Sequence, residues 1–400
     1  MRLEIKSRMT KKLRIDWLMF AVAAGLAVFG SIMVYSASAM ISLKETDGGS
    51  QFTYFYKQFG FTILGLMAMF VTSRINYHRY ENKTIAYGFL ALTAILLLAV
   101  FGFPSINGAR RWIRFPGASF QPSEIAKIAL PVFLAYYLTK NEDLVGDLKQ
   151  TVLPCAAALI ILGALILGEP DLGTTMVLCA IFVTVYFAAG AKWLHISACV
   201  SALLAVGISF LVFSPWRMKR LFAFINPWEN SSDGSYQVVQ GLYAIGSGGI
   251  IGEGFAKGQQ KLFYLPYPYS DFIFAVVGEE LGLIGTMAVV FAFGFLLWRG
   301  ARAALSAPDR FGMLLGIGII TGIIVQALFN ISVVVSILPA KGIPLPFISY
   351  GGSSIVVTLF AVGILLNISQ YAGTANNRID VGCEDYEPQR RKKRGKTGLK

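Results

Sequence analysis

The sequence predicts an all-α polytopic membrane protein with about ten transmembrane helices, both termini in the cytoplasm, and a long outer segment between helices 7 and 8. Three observations carry this fold class. Hydrophobic residues make up 55% of the 400 and charged residues only 14%, whereas a soluble domain carries about 25% charged residues. Apolar stretches near the roughly 20 residues that cross a bilayer as a helix recur along most of the chain. Lysines and arginines concentrate in the connections that fall on one side of that pattern, as cytoplasmic loops require.

Taken in order, the spans are read at about 15–39, 54–73, 84–103, 121–139, 151–168, 172–190, 194–213, 271–298, 312–337 and 349–370. The first follows a basic segment and ends near "SASA", as a signal peptide would. Its apolar part exceeds the usual signal core of about 7–15 residues, so a retained helix is expected. The basic amino-terminal segment, "TSRINYHRYENK", "RGARAALSAPDR" and the tail "RRKKRGKTGLK" then share the cytoplasm. Residues 1–14 are expected to be a cytoplasmic basic segment, 15–371 the membrane domain, and 372–400 a disordered cytoplasmic tail. Cys155, Cys179, Cys199 and Cys383 have neither metal-ligand spacing nor a disulfide pattern.

Two basic clusters fall on the outside under this topology. One is "INGARRWIRFPG", with Arg110, Arg111 and Arg114; the other belongs to the segment from about 214 to 270, with Arg217, Lys219, Arg220, Lys257 and Lys261. Membrane insertion does not ask for them there, so they point to an anionic ligand; arginines snorkelling to headgroups are the alternative. The outer segment is far longer than the 2–8 residues of an ordinary helix connection. It runs from the turn-rich "NPWENSSDGSY" through the amphipathic, then glycine-rich "QVVQGLYAIGSGGIIGEG" to "YLPYPY". Its apolar portions suggest that it lies on or dips into the membrane, and it delivers Asp271 to the outer end of span eight.

Other charged groups converge on the same side. Glu124 and Lys127 in "QPSEIAKIALPV" stand at i, i+3 and share a helix face. Asp171 lies in the Pro/Gly break of "LGEPDLGTTMV", the kind of interruption tolerated where backbone lines a cavity. Lys341 sits in "SILPAKGIPLPFISYGGSS" beside span ten. For Glu124, Lys127 and Asp171, a stabilising ion cluster and direct chemistry both remain open. So do an interfacial lysine or a ligand for Lys341, and a helix N-cap or a catalytic base for Asp271. Glu279 and Glu280 point about 80° and 180° away from Asp271 at roughly 100° per residue, so they are expected to hold neighbouring segments by hydrogen bonds. His78 and His195 fall towards the inner side, and no P-loop, HExxH or Ser/Cys–His pattern is present. The residues describe an outward cavity rimmed by cations with one well-placed carboxylate. Guanidinium forks suit pyrophosphate, and a lone carboxylate suits deprotonation of a hydroxyl.

Six motifs, "NGARRWIRF", "FQPSEIAK", "EPDLGTTMV", "GSYQVVQGLYAIGSGG", "SDFIFAVVGEELGLIG" and "LPFISYGGSS", follow the order found in the SEDS family of shape, elongation, division and sporulation proteins. The resemblance covers nearly the whole chain between its tails. It implies a peptidoglycan glycosyltransferase that polymerises lipid II outside the cytoplasmic membrane, with Asp271 as catalytic base. It further implies Arg110, Arg111, Trp112, Arg217, Arg220 and Lys341 as substrate-binding residues, and Glu124, Lys127 and Asp171 as a supporting ion cluster. No dedicated cofactor or metal site is expected; a divalent cation, Mg or Mn, would arrive with the substrate pyrophosphate. The chain departs from the family pattern at Tyr267, where a glutamate is common, and at Ser270, where threonine is usual. "APDRFG" and Lys341 in "LPAKG" resemble the division branch, FtsW, and its sporulation relative SpoVE more than RodA. That branch implies a class B penicillin-binding protein and other division proteins as partners at the septum, and no nucleic acid. The rival expectations are a lipid II transporter, which would need access from both sides, and a non-catalytic division scaffold.

Overall fold

A computed structural model describes residues 15–371 apart from 106–107, 116–117, 213–217, 219–223, 225–227, 229–234 and 340. The predicted tails 1–14 and 372–400, with Cys383, lie outside the described residues. A helix stands at each of the ten predicted stretches: α1 (Trp17–Glu45), α2 (Thr53–Arg74), α3 (Lys83–Val100), α4 (Pro122–Lys140), α5 (Leu153–Gly168), α6 (Leu172–Ala188) and α7 (Trp193–Val212), then α9 (Ile273–Leu305), α10 (Arg310–Val334) and α11 (Gly352–Ser369). Between α7 and α9 lies α8 (Tyr236–Gly248), in the amphipathic part of the outer segment. Among the described residues, seven helical stretches are long and apolar enough to cross a membrane, and α6 is a shorter apolar helix. Two short strands that the sequence reading did not anticipate, β1 (Ile113–Phe115) and β2 (Ala118–Phe120), pair antiparallel with Ile113 opposite Phe120.

Helices α4, α10 and α11 form the buried centre, and α1, α2, α6 and α9 pack around them. Helices in lipid gain little from hiding apolar surface, so close backbone approach does the work. The α2–α11 contact illustrates this: a Cβ at Gly363 would lie 1.8 Å from Thr72 Oγ1 and 2.6 Å from the Met69 carbonyl.

Helix α9 is broken at Gly282, where φ is 64° and ψ −159°. That left-handed conformation suits glycine. A break at membrane depth leaves backbone groups that only protein can satisfy. The glycine-rich stretch after α8 satisfies them: Leu283 and Ile284 N–H donate to the Gly249 and Ile250 carbonyls at 2.9 and 3.2 Å, while Glu253 and Gly254 N–H donate to the Glu279 and Glu280 carbonyls at 3.0 Å. The approach leaves no room for side chains, since a Cβ at Gly252 would lie 2.2 Å from the Glu280 carbonyl oxygen.

The two glutamates fasten the same junction. Glu279 Oε1 accepts from Gln259 and Gln260 N–H at 2.6 and 2.9 Å. Glu280 accepts from Ser36 of α1, from Ala256 N–H at 3.0 Å and from Lys261 Nζ at 2.5 Å. Lys261 is only 5% exposed. The expectation that it joins a cationic outer rim is therefore corrected: it neutralises a carboxylate beneath the surface.

Removing one partner of a buried ion pair strands a charge and costs about 3–5 kcal/mol, whereas replacing both is often near neutral. Lys261→Met is accordingly expected to lower the detergent unfolding temperature sharply, and Lys261→Met with Glu280→Gln to recover most of the loss.

Candidate active site around Asp271

Three consecutive carbonyls hold the chain that leads into α9. Tyr350 N–H donates to Tyr269 O at 2.8 Å, Ser349 Oγ to Ser270 O at 2.6 Å, and Asn330 Nδ2 to Asp271 O at 2.8 Å. Ser349 Oγ also accepts from Leu345 N–H at 2.7 Å. Gln58 of α2 ties down the same loop, donating to the Ser349 carbonyl and accepting from Gly351 N–H, both at 3.2 Å. The rings of Tyr54, Tyr269 and Tyr350 pack on one another with centroids 4.9–5.7 Å apart. Residues 269–271 are thus a turn clamped by Ser349 and Tyr350 of the loop 341–351 and by Asn330 of α10.

The clamp leaves the Asp271 side chain available. Phe272 occupies the N-cap of α9, and no side chain caps that helix, so the N-cap reading of Asp271 falls. Its carboxylate faces Gly342, where a Cβ would lie 2.9 Å from Oδ2. Burial pushes the Asp271 carboxyl up to about 6; the Arg111 charge and a Ser270 hydrogen bond oppose that rise, and Asp171 adds to it.

Asp171 is itself the cap of a helix. It sits at the N-terminus of α6, accepting Thr174 N–H at 3.1 Å on Oδ1, with Thr174 Oγ1 at 2.8 Å and Gln121 Nε2 at 3.3 Å on Oδ2. Arg111 braces the break that precedes it, donating from Nε to Glu169 O at 3.1 Å and from its terminal nitrogen to Pro170 O. Glu169 is fully buried, and neither carboxyl oxygen has a hydrogen-bond partner among the described residues. Burial, and after it Asp171, push its carboxyl up to about 8 against the pull of Arg111. It is therefore neutral near pH 7.

Glu124 and Lys127 form a buried pair at 2.7 Å. Lys127 also donates to Gln326 Oε1 of α10, and Gln326 Nε2 donates to Pro344 O at 2.8 Å. Glu124, Lys127 and Gln326 line a small cavity with Pro346 and Thr358. The expected trio thus divides into a Glu124–Lys127 pair against α10 and an Asp171 held by Gln121 and Thr174. Lys341 is half-buried with Nζ 3.2 Å from Met176 Sδ. Arg110 is exposed and donates to Phe101 O at 2.9 Å; Trp112 is half-buried before β1. Arg217 and Arg220 lie outside the described residues. Gln121, Glu169, Gln326 and Asn330 escaped the sequence reading, although amides inside an otherwise apolar α10 are a legible signal.

The family model of FtsW, RodA and SpoVE, described as cell cycle proteins, matches residues 16–374. A probable peptidoglycan glycosyltransferase FtsW of Geobacter metallireducens is 43% identical over 92% of this chain and 98% of its own. Stage V sporulation protein E of Bacillus subtilis is 37% identical over 91% of this chain and 99% of its own. Among solved structures, a chain from a peptidoglycan synthase complex that coordinates polymerization and crosslinking superposes with a TM-score of 0.73 at 26% identity, covering 89% of this chain and 98% of that one. The rod shape determining protein RodA of Thermus thermophilus gives 0.65 at 26% identity, covering 89% and 97%. The resemblance read from the six motifs is borne out.

Glu169 predicts a pH dependence of stability. Its folded value of about 8 lies above the ordinary carboxyl value of 4.5, so folding retains a proton that the unfolded chain releases. The benefit is complete below about 4.5 and gone once pH passes about 8, falling by roughly 1.4 kcal/mol for each pH step between those values. Glu169→Gln should remove that slope: between pH 5 and 9 the wild-type melting temperature falls while that of the variant, corrected for the common background, stays level.

Proposed function

The chain belongs to the FtsW, RodA and SpoVE family, and from that premise we propose that it is a peptidoglycan glycosyltransferase. It polymerises lipid II into glycan strands at the outer face of the cytoplasmic membrane, in septal wall synthesis. The observation that carries this reading is Asp271: its main chain is clamped at three carbonyls, and its carboxylate caps no helix. Among the carboxylates around it, Glu124 is ion-paired, Asp171 caps α6 and Glu280 binds Lys261. Asp271 is the one facing a loop that carries a glycine and a lysine.

The mechanism follows from that placement. The Asp271 carboxylate takes the proton from the 4-hydroxyl of the acceptor GlcNAc as that oxygen attacks the donor's anomeric carbon. The bond from that carbon to undecaprenyl diphosphate breaks, and the diphosphate leaves with the electron pair. Fixed cations stabilise charge where it develops. Arg110 and Lys341 are assigned to this task together with Arg217 and Arg220, and Trp112 to the shape of the cavity. Arg111 spends two donors on the Glu169 and Pro170 carbonyls, so its charge acts on the site while its fork holds the loop. A Mg or Mn ion would belong to the substrate diphosphate. Ten membrane crossings, cytoplasmic tails at 1–14 and 372–400, and an outer segment at about 214–270 complete the topology. The likeness to a chain of a peptidoglycan synthase complex supports a class B penicillin-binding protein as partner, with other division proteins at the septum.

Purified protein, alone and with its candidate transpeptidase, is to be incubated with labelled lipid II. A general base contributes about 10²–10⁴-fold, so Asp271→Asn in folded protein should lose at least about 100-fold in polymer formation. The base works ionised, and its carboxyl is pushed up to about 6. The wild-type rate should hold above that value and fall as pH drops through it. Lipid II crossing liposome bilayers without polymer would replace this reading with transport.

A further inference from the structure

We infer that Asn330 and Gln326, two amides on one face of α10, are positioning residues that set Asp271 and the Lys341 loop relative to each other. The inference deepens the glycosyl-transfer reading and rests on it. The two side chains stand at i, i+4 and are 1% and 3% exposed, in a helix that is otherwise almost wholly apolar. Each makes a contact that a hydrophobic residue could not. Asn330 Nδ2 donates both to the Asp271 carbonyl at 2.8 Å and to the Ile343 carbonyl at 2.7 Å. Gln326 Nε2 donates to the neighbouring Pro344 carbonyl at 2.8 Å, while its oxygen accepts from Lys127, which pairs with Glu124.

The loop needs these donors. It runs Lys341-Gly342-Ile343-Pro344-Leu345-Pro346, and its two prolines supply no N–H. The adjoining carbonyls of Ile343 and Pro344 are met from α10, because buried carbonyls must find partners. Gly342, between Lys341 and Ile343, is the residue the Asp271 carboxylate faces. One amide therefore fixes both sides of the gap, the base on one and the lysine-bearing loop on the other. Asn330 Oδ1 is buried with no hydrogen-bond partner among the described residues. The amide is there for its hydrogens, and its oxygen is the residual cost. Through Gln326, the Glu124–Lys127 pair bears on the same loop from α4.

The test compares wild type with Asn330→Leu, Asn330→Ala and Gln326→Leu, each checked for monodispersity and melting temperature. Two readouts are taken: kcat and KM on lipid II, and hydrogen exchange of the backbone amides of 341–351. A misplacement of about 1 Å costs on the order of 100-fold. Asn330→Leu, or Asn330→Ala if the larger residue does not fold, is expected to lower kcat about 10- to 100-fold with KM within about threefold. Exchange at Tyr350 and Ile343 should accelerate. Gln326→Leu should give a smaller fall, and adding Lys127→Met together with Glu124→Gln, which leaves no stranded charge, should deepen it no further. Folded Asn330 variants with wild-type kcat and unchanged exchange overturn the inference; so does a rise in KM at constant kcat, which marks a substrate contact. If the wild type makes no polymer, the glycosyl-transfer reading fails, and exchange alone decides whether Asn330 holds the loop.

Discussion

Hydrocarbon offers the backbone no hydrogen-bonding partner, and every departure from helix within a membrane bundle must be satisfied by other protein. This chain departs from helix around its candidate site at Gly282, at the Glu169–Asp171 break and along the loop 341–351. Each departure is matched to a partner. The Gly282 break exchanges hydrogen bonds with 249–254. The Glu169 and Pro170 carbonyls take the donors of Arg111. The loop 341–351 takes Asn330, Gln326 and Gln58. The irregular segments thereby have these backbone groups satisfied by protein.

The same constraint sorts the carboxylates. A charge in a low-dielectric interior requires a partner, or it gives up its ionisation. Glu280 lies against Lys261, Glu124 against Lys127, and Asp171 at a helix N-terminus, whose dipole favours a negative charge. Glu169 has no such partner, and its carboxyl is pushed up to about 8. Asp271 lies between these cases. Its carboxyl is raised to about 6, so near neutral pH it is ionised yet more basic than an ordinary aspartate, which suits the removal of a proton from a hydroxyl.

Features set by local sequence were legible. Apolar length announced the helices, Pro and Gly announced the breaks at Glu169–Asp171 and 341–351, and an aspartate at the mouth of an apolar run announced Asp271. Features set by distant partners were not. Glu280 meets Ser36 across 244 residues of sequence, and nothing near Lys261 tells a rim cation from a buried counter-ion. Glu124, Lys127 and Asp171 read as one cluster because all three lie near the same end of their helices; Lys127 turns to Gln326 of α10, while Asp171 meets Thr174 of its own helix and Gln121 at the cap of α4. The break at Gly282 follows Glu279 and Glu280 in an otherwise apolar run, and only the glycines brought against it explain it. The β1–β2 pair is too short for its alternation to register.

On the proposed function, Lys341 and the groups around Asp271 are reached from the outer face of the membrane alone. The direct measurement is labelling of Lys341→Cys, in a chain whose four native cysteines are replaced, with a membrane-impermeant maleimide applied separately to the outer face of spheroplasts and the cytoplasmic face of inverted vesicles. Labelling from the outer face alone is the predicted result. Labelling from the cytoplasmic face, or from both faces, would contradict that placement and favour transport of lipid II instead.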